Sequence, residues 1–137
     1  MAAARRPLID VVAAILAGWI MGGLLGCAET SLGPVALLHL PLWVVIAGDI
    51  ATGAVLALLV VDLKPLLIVV GASAILSAIF YPLLLLLPAA GARIYFSTLS
   101  NQALVQAVPT FFLSLFLGFV GALIGTILNA SVRGYEL

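Results

Sequence analysis

Charge is what this chain has least of. Five basic and five acidic residues among 137 leave no net charge. With so few cations nothing supports nucleic-acid binding, because phosphate recognition needs clustered Lys and Arg. One cysteine, Cys27, rules out an internal disulfide. With His39 as the sole histidine, the chain holds too few nitrogen and sulfur ligands for a structural metal or a haem. No cofactor and no metal are therefore expected. There is also no nucleophile elbow, no HExxH, no phosphate loop and no pair of intramembrane carboxylates, so enzymatic chemistry is not expected. No polar stretch is long enough to fold outside a membrane, which makes residues 1–137 a single domain.

What is there in abundance is apolar surface. The chain is 66% hydrophobic and 7% charged, whereas an average soluble domain is about 45–50% apolar and about 25% charged. The remaining polar side chains cannot cover a water-facing globule, so lipid must solvate most of the surface. A spanning helix needs about 20 mostly apolar residues, and four stretches qualify: 8–27, 41–63, 65–87 and 103–129. The reading is an all-α integral membrane protein, four transmembrane helices in a compact bundle, multi-pass in the cytoplasmic membrane. GCAETSLGP, DLKP and PAAGARIYFSTLSNQ separate the spans, and the stretch between Pro34 and Pro41 reads as a short helix lying along the interface.

Orientation follows from Lys and Arg placement. With the N-terminus inside, Arg5, Arg6, Lys64 and Arg133 are cytoplasmic and only Arg93 is outside. Both termini are therefore read as cytoplasmic, with Trp43, Tyr95 and Phe96 near the outer interface. LLGC at residues 24–27 resembles a lipoprotein lipobox, but Asp10 interrupts the apolar run before it. The stretch is read as the first helix rather than a removed signal. Asn129-Ala-Ser131 matches a glycosylation pattern, but at a cytoplasmic helix end. No residue pattern aligns the two halves, so an inverted repeat within the chain is unsupported.

Helices in lipid associate through close backbone approach, so seams are lined by small residues. The first span carries Ala14, Gly18, Gly22 and Gly26 at four-residue steps, and the fourth carries Gly118, Gly121 and Gly125. These glycines read as packing positions, and any seam not used inside the bundle would face a second copy or a larger membrane complex.

One residue resists the packing account. Asp49 interrupts VVIAGDIATGAVLALL, and no Lys or Arg lies within any span to pair with it. An intramembrane carboxylate costs several kcal/mol if ionised and marks a functional site by default. Counting from Pro41 at 1.5 Å per residue puts it about 12 Å below the outer interface. The same count puts Tyr81 and Thr110 about 10 Å deep and Ser77 and Ser114 about 16 Å deep. Pro82 and Pro109 fall nearby, and each leaves a carbonyl without its helical donor. Interrupted helices beside polar groups are a way to build intramembrane ion or solute sites. Asp49, Thr52, Ser77, Tyr81, Gln106, Thr110 and Ser114 are thus expected to form a polar site for an ion, proton or small solute. The competing expectation is a structural or assembly subunit in which a protonated Asp49 holds helices together. Asp10, at the start of the first span, reads as a helix-dipole partner. Asp62 and Lys64 read as solvated anchors of the second turn, and His39 as interfacial.

Overall fold

Four apolar runs become four helices in the computed structural model, which describes residues 2–28, 40–60, 62–86 and 93–134. They are α1 (Ala2–Gly26), α2 (Leu42–Leu59), α3 (Leu63–Leu86) and α4 (Arg93–Gly134). All four are long and apolar enough to cross a membrane. Only 28–39% of the residues in each span are buried inside the bundle. The outward majority includes Val11, Val12, Ile15, Trp19, Ile68, Phe112, Phe116 and Ile127, a continuous apolar exterior that water does not tolerate.

The bundle is not wound in chain order. α1 packs chiefly on α3, α2 on α4, and α3 on α4, with a shorter contact between α1 and α2. Glycine spacing explains the first two pairs. A Cβ added at Gly18 would lie 2.5 Å from the Leu76 Cβ and 2.9 Å from the Ser73 carbonyl oxygen. At Gly22 it would lie 2.9 Å from the Ser77 carbonyl oxygen. Rising numbers on α1 meet rising numbers on α3, so the two run parallel. Gly53 faces the Gly118 carbonyl, Gly121 faces Ile50 and Ala54, and Gly125 faces Ala54 and Ala57, which makes α2 and α4 parallel too. Backbone contact this close is available only where no side chain intervenes.

Not every glycine is used in this way. Gly26 and Gly71 have no atom within 4 Å of an added Cβ, so Gly26 does not extend the α1 seam. Gly118 contributes its carbonyl to Gly53, while a Cβ of its own would meet only the flexible ends of Val70 and Met21. Gly48, unremarked in the sequence, packs against Leu24. Gly71→Ala is expected to be tolerated, with a thermal midpoint in detergent equal to or slightly above wild type, since alanine fills open space and favours helix. A lowered midpoint would mean that the open side of α3 is occupied.

Several boundaries differ from the sequence reading. α4 starts at Arg93 rather than residue 103. RIYFSTLSNQ looked like a connection because it is polar, yet it contains neither Gly nor Pro, and polarity alone does not stop a helix. At 42 residues, α4 is about 63 Å long at 1.5 Å per residue, twice a hydrocarbon core of about 30 Å. α1 likewise starts at Ala2 and continues through Pro7, helped by the helix-favouring Ala and Arg before it. Asp10 is therefore more than two turns inside the helix and half-buried, so the dipole role expected for it is lost. α3 and α4 run unbroken through Pro82 and Pro109. Each proline removes one backbone donor without interrupting its helix, as packed transmembrane helices allow.

The ends of the first connection are tied where Leu40 N–H donates to the Cys27 carbonyl at 2.9 Å. His39 and the short segment after Pro34 lie outside the described residues. Asp62 and Lys64 are exposed beside the start of α3, and the Asp62 carbonyl accepts from Leu66 N–H at 3.1 Å.

Candidate functional site

Two apolar clusters leave a polar layer between them. At one end lie Ala13, Ala14, Ala17, Leu56, Ala57, Val60, Leu66, Val69, Val70 and Ala122. At the other lie Leu25, Ala28, Val45 and Tyr81. Between them sit Asp49, Ser77 and Ser114, all fully buried. Helix register builds this layer. Gly53 packs on Gly118 in the parallel α2–α4 pair, so one turn back Asp49 stands level with Ser114. The Gly22 contact brings Ser77 to the same level on α3.

The hydroxyls of Thr52, Ser73, Ser77, Tyr81 and Ser114, in and beside this layer, are hydrogen-bonded. Ser77 and Ser114 share a hydrogen bond of 2.7 Å between α3 and α4. The Tyr81 hydroxyl donates to Gln106 Oε1, a second bond between the same helices. Thr52 Oγ1 donates to the Gly48 carbonyl of its own helix at 2.8 Å. Ser73, also fully buried, donates to the Val70 carbonyl at 2.8 Å. Thr110 is buried one turn from Ser114 on α4. Six of the seven residues read from the sequence thus gather along the α2–α3–α4 contact, and Thr52 is spent on its own backbone.

Asp49 is the exception. Neither carboxylate oxygen has a hydrogen-bond partner among the described residues, and both are buried. A buried polar group without a partner costs about 1–3 kcal/mol, and more if charged. Native interiors keep such groups rarely, and where they occur they call for an explanation. Among the described residues no group of three or more His, Cys, Asp or Glu comes together to hold a metal ion.

The wider surroundings differ on the two sides of the layer. Toward the start of α4, Asn101, Gln102, Val105 and Gln106 line a surface groove of about 310 Å³. Asn101 and Gln102 are exposed and Gln106 is half-buried. The sequence reading missed this groove because it placed residues 93–102 in a loop. A second groove of about 340 Å³, lined by Ile75, Ala78, Ile79, Ala107, Val108 and Phe111, is apolar and faces outward.

Each interhelical hydroxyl bond makes a modest contribution, since such bonds average about 0.6 kcal/mol in membrane proteins. Tyr81→Phe is expected to lower stability by about that amount and to leave the oligomeric state and helix content unchanged. Chemical denaturation in mixed micelles with circular dichroism checks it, and a loss above about 2 kcal/mol would show that the Gln106 bond anchors more than one helix pair.

No family model, no curated protein and no solved structure matches this chain.

Proposed function

We propose that the chain is a small multi-pass protein of the cytoplasmic membrane, with both termini on the cytoplasmic side, that takes part in moving an ion, a proton or a small solute. The observation that supports this most is Asp49, a fully buried carboxylate with no hydrogen-bond partner among the described residues. An isolated carboxylate in that setting is expensive, and the cost falls when it holds a proton or a cation. Four helices enclose only a narrow pathway, which favours a homo-oligomer or a place in a larger complex. The test is flux through proteoliposomes of the purified protein, wild type against Asp49→Asn, over a panel of ions and small solutes. Flux carried by wild type and lost in the variant supports the reading; equal flux in both, or none in either, sinks it.

A second reading, a structural or assembly subunit, draws on a separate observation. α4 is 42 residues long, about twice the length needed to span lipid, and its excess offers a docking element. Co-purification of larger chains in mild detergent, together with absence of flux from the isolated protein, favours it. The holding role expected for Asp49 has weaker support, because that role needs a bond across helices and the carboxylate makes none.

A further inference from the structure

We propose that the ligand of Asp49 is a proton rather than a metal ion, and that it reaches the carboxylate only from the Gln102 end of α4. The inference rests on the functional reading above and deepens it.

The choice of ligand follows from the oxygens that are free. A metal cation buried in protein needs several oxygen ligands, about six for Mg²⁺ and six to eight for Ca²⁺. The layer supplies one carboxylate. Ser77 and Ser114 are bonded to one another at 2.7 Å, Thr52 to its own helix and Tyr81 to Gln106. Two of these bonds join α3 to α4, so regrouping their oxygens around a cation would strain that contact, and among the described residues no group of three or more His, Cys, Asp or Glu comes together to replace them. A proton needs none of these oxygens. It binds one Asp49 oxygen as O–H, the neutral acid then being tolerated where the ion is not.

The direction of entry follows from burial along α4. Gln102, Gln106, Thr110 and Ser114 stand at four-residue steps, a slowly turning stripe that winds from the outside of α4 toward its buried side at intervals of about 6 Å. Gln102 is exposed, Gln106 half-buried, Thr110 7% exposed and Ser114 fully buried. Polarity thus leads inward from the groove at Asn101 and Gln102 to the Ser77–Ser114 bond, level with Asp49. Beyond Asp49 the direction reverses character. Gly53, Leu56 and Ala57 continue α2 into an apolar cluster, and on this side the one buried polar side chain among the described residues is Ser73, which donates to the Val70 carbonyl of its own helix. A single hydroxyl already bonded to its own helix does not make the run of polar groups that a proton or a bound water needs.

No basic side chain bears on this arrangement among the described residues. Helix register puts Gly22 on α1, Ser77 on α3 and Ser114 on α4 at the level of Asp49, none of them titratable, with Tyr81 one turn along α3 from Ser77. Protonation at this level therefore reads on Asp49 alone.

Infrared difference spectroscopy of the reconstituted full chain tests the ligand. The carboxylic C=O band lost in Asp49→Asn should titrate with pH and stay unchanged when Na⁺, K⁺, Mg²⁺ or Ca²⁺ is added at fixed pH. Loss of the band on adding any one of these ions overturns the proposal, as does the absence of any band removed by the substitution. Entry is tested in a Cys27→Ser background with Ser114→Cys or, should that variant not fold, Thr110→Cys. A small membrane-impermeant thiol reagent should modify the new cysteine when applied on the side of the α4 start and not when applied on the other. Modification from the opposite side, from both sides or from neither overturns the one-sided route. Neither measurement reads flux, so a protein that protonates at Asp49 without moving anything refutes the transport reading and leaves this one intact.

Discussion

Replacing Asp49 with asparagine is expected to reduce flux to the level of protein-free liposomes while leaving the bundle folded. The amide matches the carboxyl in size, and neither carboxylate oxygen has a hydrogen-bond partner among the described residues, so the change removes no hydrogen bond seen there. Its effect on stability should stay below about 1 kcal/mol, in the range of substitutions that neither open a cavity nor break a network. What the amide cannot do is release and rebind a proton, or carry the negative charge that would attract a cation. Function and folding are thus separable at this position, which few buried positions allow. Thermal unfolding in detergent reads the first quantity and proteoliposome flux the second. A variant that unfolds would place Asp49 in the packing; one that transports normally would remove it from the mechanism.

The second large effect is expected at Gly121. A Cβ there runs directly into the backbone of Ile50, and the Ala54 nitrogen lies 3.0 Å away. Neither can yield as a side-chain tip would, because both belong to α2. Gly121→Leu must therefore push α2 from α4, undoing the neighbouring contacts of Gly53 and Gly125. Overpacking commonly costs about 1–3 kcal/mol and more where backbone must move, enough to exhaust much of a marginal stability. Loss of the monodisperse peak in size-exclusion chromatography is the expected outcome. Gly71→Leu, placed in open space on α3, should elute as wild type does. Normal elution of Gly121→Leu would mean that α2 and α4 do not meet along this seam. Because Asp49 is held level with Ser114 by the same seam, a milder Gly121→Ala should disturb flux before it abolishes folding.

The two predictions separate what was legible in the chain from what was not. Composition alone required a helical protein with an apolar exterior, because ten charged residues in 137 cannot cover a globule exposed to water. The number of helices followed from run length. Asp49 stood out for the same reason, since an unpaired carboxylate in an apolar run is costly wherever the helices go. Boundaries were less legible: RIYFSTLSNQ is polar, and only the absence of a breaking residue shows that α4 can begin before it.

Partnership between helices came from the tertiary structure. Glycines at four-residue spacing declare that a face can be approached closely, but carry no information about which helix approaches it. Gly18 and Gly22 could have met α2 or α4; they meet α3. Gly26, equally in step, meets no other helix within 4 Å among the described residues, because a straight helix turns its four-residue stripe slowly out of any one contact. Hydroxyls behave likewise. Thr52 and Ser77 read alike in sequence, yet one bonds its own helix and the other reaches Ser114 across the bundle. The chain by itself determined the apolar exterior, the helices and the costly carboxylate, all of which depend on local composition. Only the packed bundle decided which surfaces meet and that Asp49 is left without a hydrogen bond among the described residues, because those depend on where residues distant in sequence are brought together.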